Sequence, residues 1–367
     1  MVISQTRFVP FSLVLGGVLA FWGAAACQPS HAVEEITFKD DKGVARTVVG
    51  ESLLTAQDGG KLFLTDEGFI WTIQAAAVQA SKADDKPMVA VDAAEMGRRL
   101  LKEFPAGFAV HQTTHYVIVH NTNEAYVRWV GGLFEQLHKG FYAYWKNQGW
   151  PLPESRFPLV ALVFANRASY DAYGMSDVGE AAKSTIGYYN LQTNRMTTYN
   201  VPDAERQVAT IIHEATHQLA YNTGLQKRYA DNPMWVSEGL AVFFESPDFS
   251  NPRGWRSIGK VNTVNLARFR RYMPRRGSES LATLLSDDNR FRQEASAADA
   301  YSEAWAMNYF LLRTKKKEYV QFLQKLSEGT PLETRGPRDR VELFEQIIGT
   351  DLATLDKQFL AYMSRVQ

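Results

Sequence analysis

The sequence predicts an α+β fold with a small β-rich unit over residues 33–105, followed by a larger unit over residues 106–367. Three observations support this prediction. Two short strand patterns joined by a turn mark the first unit. Strand and helix patterns then alternate over 106–224, which predicts a mixed sheet with helices. Helical spacing of apolar residues dominates 225–367, which predicts a helical C-terminal lobe.

In the first unit, GKLFLTDEGFIWTIQ predicts two strands joined at Asp66, Glu67 and Gly68. The segment SKADDKPM (81–88) predicts a polar loop. The segment AAEMGRRLLKEF (93–104) predicts a helix that leads into the second unit.

In the second unit, HYVIVHN (115–121) predicts a strand, and EAYVRWVGGLFEQLHKGFYAYWK (124–146) predicts a long helix with apolar residues at helical spacing. The apolar run FPLVALVFA (157–165) predicts a buried strand, and STIGYYNLQTNRMTTYN (184–200) predicts a hairpin. The segment ERQVATIIHEATHQLAYN (205–222) predicts a helix that ends before a glycine.

The composition is that of a globular protein, with 45% apolar and 22% charged residues. Forty Lys and Arg balance forty Asp and Glu, so the formal net charge is zero. A protein that binds nucleic acid usually presents a basic face. We therefore expect no nucleic-acid partner.

Residues 1–32 predict an export signal, because one positive charge precedes an apolar run that ends in small residues. The alternative is a membrane anchor. The only cysteine, Cys27, follows GAAA and resembles a bacterial lipobox, although Ala24 stands where that motif prefers leucine. We expect a periplasmic or envelope protein, attached to the membrane through a lipidated Cys27 or released by cleavage after Ala26 or Ala32.

The predicted helix at 205–222 carries a pattern that points to metal chemistry. His213 and His217 are four residues apart and share one helical face, so both imidazoles can hold one ion. Glu214 is turned to the side, where it can reach a water on that ion. This His-Glu-x-x-His pattern is typical of zinc peptidases. The alternative is two ordinary histidines packed under a neighbouring helix.

A catalytic zinc needs three protein ligands and one open position. The segment DNPMWVSEGLAVFFE offers Glu238 as the third ligand. Asn232 is expected to cap a helix there, with Pro233 as its first residue. Gly239 would let another backbone approach beside the ligand. Asp231 is the alternative ligand, although its position suits the helix N-terminus better.

The segments HEATH and WVSEGLA together resemble the gluzincins, a clan of zinc peptidases whose third ligand is a glutamate on the helix after the motif helix. Within that clan, HYVIVHNT, HEATHQLAYNTG, EGLAVFFE and YSEAWAMNYFLL are similar to an uncharacterised bacterial family of unknown function, over roughly residues 106–365. The resemblance implies a two-lobed zincin-like fold. It also implies Zn²⁺ held by His213, His217 and Glu238, with Glu214 as general base.

The chain departs from the clan at two places. Thermolysin-like members have an aspartate four residues after the third ligand, where this chain has Val242, so the carboxylate that orients a zinc histidine must come from elsewhere. Glu245 is one candidate, and a solvated or capping role is its alternative. The Gly-x-Met-Glu-Asn segment of the clan's aminopeptidases is missing, which favours an endopeptidase or a hydrolase of narrow specificity.

The expected reaction is hydrolysis of a peptide bond in a peptide or protein substrate. Glu214 would take a proton from a water activated by zinc and deliver it to the leaving amine. The developing oxyanion needs a further donor. No histidine follows His217, and the resemblance points to Tyr301. Tyr309 is the alternative donor, and a plain core tyrosine is the third interpretation.

In this clan an edge strand pairs with extended substrate, and the hairpin at 184–200 occupies that place in the chain. Tyr188 and Tyr189 in it are equally consistent with core positions. The alternative function is a non-catalytic, zinc-containing envelope lipoprotein with a binding or scaffolding role. The sequence decides no oligomeric state. Of the other histidines, four have no ligand spacing to the motif and are expected to be structural: His111, His115, His120 and His138.

Overall fold

A computed structural model describes residues 32–246, 255 and 258–367 of the chain. The predicted signal segment and Cys27 therefore lie outside the described residues, apart from Ala32. The described part is a mixed α+β fold, with a β-rich N-terminal region and a helical C-terminal part, as predicted. None of its helices combines the length and apolar character needed to cross a bilayer.

The N-terminal region forms a five-stranded sheet in which all neighbouring strands are antiparallel. The predicted hairpin is confirmed, and its turn includes Gly68 at φ 83°. Such positive φ angles suit glycine because it has no Cβ. In spatial order the strands are β4 (Ile70–Ile73), β3 (Lys61–Thr65), β2 (Ala45–Thr55), β1 (Ala32–Lys39) and β5 (Val78–Pro87).

The prediction of a polar loop at 81–88 is wrong, because most of that segment belongs to β5. This strand lies at the sheet edge and pairs with β1, for example at Ser81 with Ile36 and at Ala83 with Glu34. Nearly all its side chains are exposed. Backbone pairing holds it in place, so it lacks the apolar alternation on which a sequence-based strand prediction depends.

The second sheet has the order β6-β7-β8-β10-β9, with three parallel central strands and an antiparallel strand at each edge. The predicted strands at 115–121 and 157–165 and the hairpin at 184–200 are confirmed. The strand at the first edge was not predicted. The strands are β6 (Ala109–Gln112), β7 (Tyr116–His120), β8 (Leu159–Phe164), β9 (Gly187–Asn190) and β10 (Arg195–Tyr199).

Four helices cover this sheet, because its central strands are apolar on both faces and both faces must be buried. One face packs with α1 and α3 through Val117, Leu162 and their neighbours. The other packs with α2 and α4 through Ile118, Val163 and the main core. The first, second and fourth of these helices were predicted, and the helix at Arg167–Asp177 was not. They are α1 (Ala93–Leu101), α2 (Glu124–Asn147), α3 (Arg167–Asp177) and α4 (Ala204–Asn222).

The C-terminal part is helical, and its centre is the long, largely buried helix α9 (Glu294–Thr314). Helix α5 packs closely against α9 at Gly239, where an added Cβ would lie 2.7 Å from the carbonyl oxygen of Ala304. The predicted close approach at Gly239 is thus confirmed. The helices are α5 (Met234–Phe244), α6 (Thr263–Tyr272), α7 (Ser280–Ser286), α8 (Asn289–Arg292), α9 (Glu294–Thr314), α10 (Lys316–Ser327), α11 (Pro337–Ile348) and α12 (Leu352–Met363).

The start of α5 differs from the prediction. Pro233 is its N-cap, and the side-chain amide of Asn232 donates to two carbonyl groups before the helix. The N–H of Met234 donates instead to Asp288 Oδ1, at 2.9 Å, and Asp288 belongs to a distant part of the chain. Asp231 pairs with Arg340, which also binds Asp288. A tertiary contact therefore replaces the local cap, because an aspartate from another segment reaches the free helix N–H.

Candidate metal centre

Helix α4 carries the His-Glu-x-x-His motif through the interior of the molecule. Asp203 caps the helix by accepting hydrogen bonds from the N–H groups of Glu205 and Arg206. From Val208 onward almost every residue is buried, because the helix packs against the sheet on one side and α5 on the other. The side chains of His213 and His217 are both 3% exposed. The motif is thus held within the packed core rather than on a loop.

Two imidazole nitrogens and the Glu238 carboxylate converge at this place. His213 Nε2 lies 3.2 Å from His217 Nε2 and 3.2 Å from Glu238 Oε2. The other carboxylate oxygen, Glu238 Oε1, lies 3.7 Å from His217 Nε2. With zinc–nitrogen bonds of about 2.0–2.1 Å, a tetrahedron has edges of roughly 3.3–3.4 Å. The two nitrogens and the carboxylate are therefore separated by distances close to the edges of a zinc-sized tetrahedron.

Further observations fit a cation here. Glu214 Oε1 and Glu238 Oε1 are buried without a hydrogen-bond partner among the described residues. Burial opposes ionisation of Glu238, but the neighbouring imidazoles of His217 and His213 lower its pKa to about 2. A carboxylate that is ionised and accessible to the same point as two imidazoles is a suitable third ligand. The residues present thus fit a zinc ion, whereas the expected alternative, Asp231, is engaged by Arg340.

His213 is held on its far side by a second carboxylate. Its Nδ1 lies 2.8 Å from Glu245 Oε2, and the side-chain amide of Asn262 donates to Glu245 Oε1 at 3.2 Å. Despite the effect of burial, the two glutamates Glu238 and Glu245 raise the pKa of His213. This contact agrees with the role considered for Glu245, since histidines that bind metal commonly donate their other nitrogen to a carboxylate.

Glu214 lies beside the converging side chains of His213, His217 and Glu238, at the edge strand β9. Burial raises its pKa, while the nearby imidazoles of His213 and His217 oppose that shift. The backbone of Tyr189 on β9 lies beside the Glu214 carboxylate and also opposes the rise in its pKa. Sequence patterns could not reveal this contact, because a backbone group carries no residue signature. The two tyrosines of the strand are buried: the hydroxyl of Tyr188 donates to Asp177 at 2.8 Å, and that of Tyr189 to Asn194 at 2.6 Å.

The two tyrosines of α9 have different surroundings. The half-buried Tyr301 lies beside Glu238, and burial together with that carboxylate raises the pKa of its hydroxyl. Tyr309 lies among Phe243, Trp305 and Tyr362, with a guanidinium over its ring. The structure thus brings Tyr301, and not Tyr309, to the converging side chains. Tyr301 has this partner without any substrate.

The sequence missed a second cluster of ligand-type atoms. His115 before β7, His138 on α2 and Glu154 between α2 and β8 each offer one such atom, all within 4.8 Å of one another. Among the described residues, the other two histidines are outside both clusters. His111 Nδ1 lies 3.9 Å from Glu124, and His120 Nδ1 lies 3.2 Å from the Thr122 carbonyl oxygen.

The chain is similar to a family described as protein of unknown function (DUF1570), whose model matches residues 207–333. This range is about a third of the chain and includes most of α4, all of α5 and the position of Tyr301. The family description assigns no activity. No curated protein matches the chain.

Proposed function

We propose that this chain is a zinc-dependent peptide-bond hydrolase of the gluzincin type, exported to the periplasm or bound to the cell envelope through Cys27. The observation that carries the proposal is the convergence of His213 Nε2, His217 Nε2 and the Glu238 carboxylate, whose two oxygens lie 3.2 Å and 3.7 Å from the imidazole nitrogens. Three ligands with a neighbouring carboxylate are what a catalytic rather than a structural zinc requires.

Each neighbouring side chain has a role that its surroundings support. A zinc ion held there would supply Lewis acidity towards water and the scissile carbonyl. Glu214 takes the proton of the attacking water and passes it to the leaving amine, since its raised pKa brings it nearer to neutral pH. Glu245 orients the His213 ring. Tyr301 leaves Glu238 and donates its hydroxyl proton in a hydrogen bond to the oxyanion.

The edge strand β9 supports an extended peptide as substrate. Among the described strands it pairs only with β10, and it passes Glu214 at Tyr189. A peptide laid along the free edge would be held by backbone hydrogen bonds, which read no side chains. An endopeptidase is consistent with such binding, because no free terminus is needed.

The test compares Glu214→Gln with Glu205→Gln, an exposed glutamate on the first turn of the same helix. Both full-length proteins should retain the zinc that survives dialysis, close to one ion per chain. Hydrolysis of a mixed peptide library should fall by several orders of magnitude in Glu214→Gln alone, because base and metal act as a unit.

Two outcomes oppose the proposal. Equal hydrolysis by both variants would place the activity elsewhere. Stoichiometric zinc that is lost in His213→Ala, with no hydrolysis of any peptide by the parent protein, would favour the non-catalytic envelope protein instead.

A further inference from the structure

The second histidine cluster is built from three separate parts of the fold. His115 precedes β7, His138 lies in the middle of α2, and Glu154 lies in the segment between α2 and β8. The β7 start and the α2–β8 segment are neighbours because the N–H of Leu159 donates to the His115 carbonyl oxygen at 3.1 Å. Tertiary folding, not sequence spacing, therefore brings these side chains together.

His115 is oriented as a metal-binding histidine usually is. Its Nδ1 lies 2.7 Å from Glu135 Oε2, so Nδ1–H donates and the lone pair of Nε2 remains available. Glu135 is fixed in turn, since its Oε1 accepts hydrogen bonds from the Thr113 hydroxyl at 2.6 Å and from the His115 N–H at 2.8 Å. His115 thus has a carboxylate partner at Nδ1, as His213 has at the candidate metal centre.

His138 is buried, yet its ring makes no hydrogen bond among the described residues. The ring is stacked on His115, with 3.7 Å between centroids, and also contacts Tyr142. Its Nε2 lies 3.9 Å from Glu154 Oε2, whose side chain is 75% exposed. Because Glu154 is mostly exposed, a cation arriving from the solvent could reach both Glu154 Oε2 and His138 Nε2.

We propose that His115, His138 and Glu154 form a second, peripheral site for a divalent cation of the zinc class. Two imidazoles and a carboxylate suit Zn²⁺ and its neighbours Cu²⁺ and Ni²⁺, whereas Mg²⁺ prefers oxygen ligands and water. The site does not depend on the proposed hydrolase function. Bound there, a cation ties the segment between α2 and β8 to the start of β7.

The ring geometry sets the strength of this site. At the candidate metal centre the two imidazole centroids are 4.8 Å apart, as two rings sharing one ion require. At the peripheral site they are 3.7 Å apart and nearly parallel, at 15°. Imidazole lone pairs lie in the ring planes, so two stacked and nearly parallel rings cannot both point at one ion. Binding must therefore tilt the rings relative to each other and separate them by about 1 Å, given metal–nitrogen bonds of about 2.0–2.1 Å. We expect micromolar affinity, much weaker than at the candidate metal centre.

The experiment is a calorimetric titration of the dialysed full-length protein with Zn²⁺. One further equivalent should bind with micromolar affinity, and Mg²⁺ should not replace it. Glu154→Gln should weaken that event about tenfold or more, and His138→Gln should abolish it. Glu180→Gln is the matched control, because its side chain is also 75% exposed. His111→Asn is the histidine control.

A second measurement keeps the test independent of folding. In the parent protein, Zn²⁺ should shift the ring proton signals of His115 and His138, because the stacked rings part. The His213→Ala protein lacks a ligand of the candidate metal centre and should still show this event. Failure of the hydrolase proposal is thus distinguishable from failure of this one. The peripheral site is ruled out if Glu154→Gln and Glu180→Gln bind alike, or if the two ring signals do not move.

Discussion

His213 is held at both nitrogens of its ring. Nε2 faces Glu238 and His217, while Nδ1 is 2.8 Å from Glu245 Oε2. This second contact fixes the ring plane and the tautomer, so that Nε2 keeps its lone pair for a cation. The residue thus enters the candidate metal centre with its orientation already set.

The first prediction concerns Glu245→Gln. The amide remains large enough to touch His213 but lacks the charge that favours an Nδ1–H donor. Zinc affinity should fall 10–100-fold, the usual effect of losing such a partner. Competition with a chelator of known affinity measures this loss. Asp231→Asn is the control and should keep its zinc affinity, since Asp231 binds Arg340. Unchanged zinc affinity in Glu245→Gln would contradict the orienting role of Glu245, and loss of zinc in Asp231→Asn would indicate that Asp231 is a ligand.

The second prediction concerns Tyr301→Phe. If Tyr301 donates to the oxyanion, kcat should fall by roughly 10²–10³ with little change in KM, because the bond forms mainly in the transition state. Zinc content should be unchanged. Tyr309→Phe is the control, because Tyr309 packs among aromatic rings away from Glu238. Normal turnover by Tyr301→Phe would mean that the Tyr301 hydroxyl takes no part in catalysis and that its contact with Glu238 is structural.

At the residue scale, helix periodicity predicted that His213 and His217 meet, because positions i and i+4 lie on one face. Glu238 was predicted from a second helix and from the resemblance to gluzincins. It could not predict how Asp288 caps α5, or that His115 and His138 meet. Those contacts join residues far apart in the chain, and their positions depend on the packing of several elements. A single sequence carries no periodic signal for such pairs.

At the element scale, the candidate metal centre depends on how α5 packs against α9. Gly239 permits the close approach, and the buried side chain of Asn308 links the two helices by donating to the Trp235 carbonyl oxygen at 2.9 Å. The oxygen of the same side-chain amide, Asn308 Oδ1, accepts a hydrogen bond from the Tyr319 hydroxyl. This polar contact in an apolar core sets the register that brings Tyr301 on α9 opposite Glu238 on α5.

The third prediction concerns Gly239→Ala. The added methyl group would collide with the Asn308 amide and lie 2.7 Å from the Ala304 carbonyl oxygen, so the helices must separate. Overpacking of this kind costs roughly 1–3 kcal/mol, more than the helix propensity gained from alanine. Chemical unfolding and zinc affinity should both show a loss, because Glu238 moves with α5.

The control for this change is Gly140→Ala on α2. There the added methyl group meets only side-chain ends, at 3.2 Å from Ile258 and 3.3 Å from Trp255. Its zinc affinity should match that of the parent protein. If both variants lose zinc equally, the separation of α5 from α9 is not the cause.

Elements with apolar periodicity were predicted well, and those without it were not. The central strands β7 and β8 and the helices α2 and α4 all bury a regular apolar pattern. Strand β5 buries none, so its polar segment was taken for a loop. Helix α3 mixes polar and small residues, and only Tyr170 and Gly174 are buried. An element that buries a regular pattern of apolar side chains can thus be predicted from the sequence. An element held mainly by backbone pairing cannot, because any residue type can form those hydrogen bonds.

At the scale of the whole molecule, the N-terminal sheet is joined to the rest by both apolar and charged contacts. Met88 and strand residues Leu62 and Leu64 pack with Phe157 from the segment before β8. Next to it, Arg156 Nη1 lies 2.5 Å from Glu51 Oε1, and its Nη2 donates to the Met88 carbonyl oxygen at 2.8 Å. The same segment carries Glu154, so the attachment of the sheet and the peripheral cation site share one stretch of chain.

The last prediction concerns Arg156→Ala. The Glu51 side chain is only 9% exposed, so removing the guanidinium leaves a nearly buried carboxylate and a carbonyl oxygen without partners. That should lower the free energy of unfolding by roughly 1–3 kcal/mol. Lys86→Ala is the control. It also removes a cation from a carboxylate in this sheet, but the side chains of Lys86 and Asp84 are 81% and 49% exposed, and exposed pairs contribute about 0–1 kcal/mol.

A double-mutant cycle separates the ion pair from general loss of packing. Glu51→Gln removes the charge that Arg156 compensates, so Arg156→Ala should cost less in that background than in the parent protein. Urea unfolding gives the free energies, and hydrogen exchange should locate the loosened amides in β2 and at Met88. Equal costs in the two backgrounds would mean that Arg156 acts through its contact with the Phe157 ring, at 5.6 Å, rather than through Glu51.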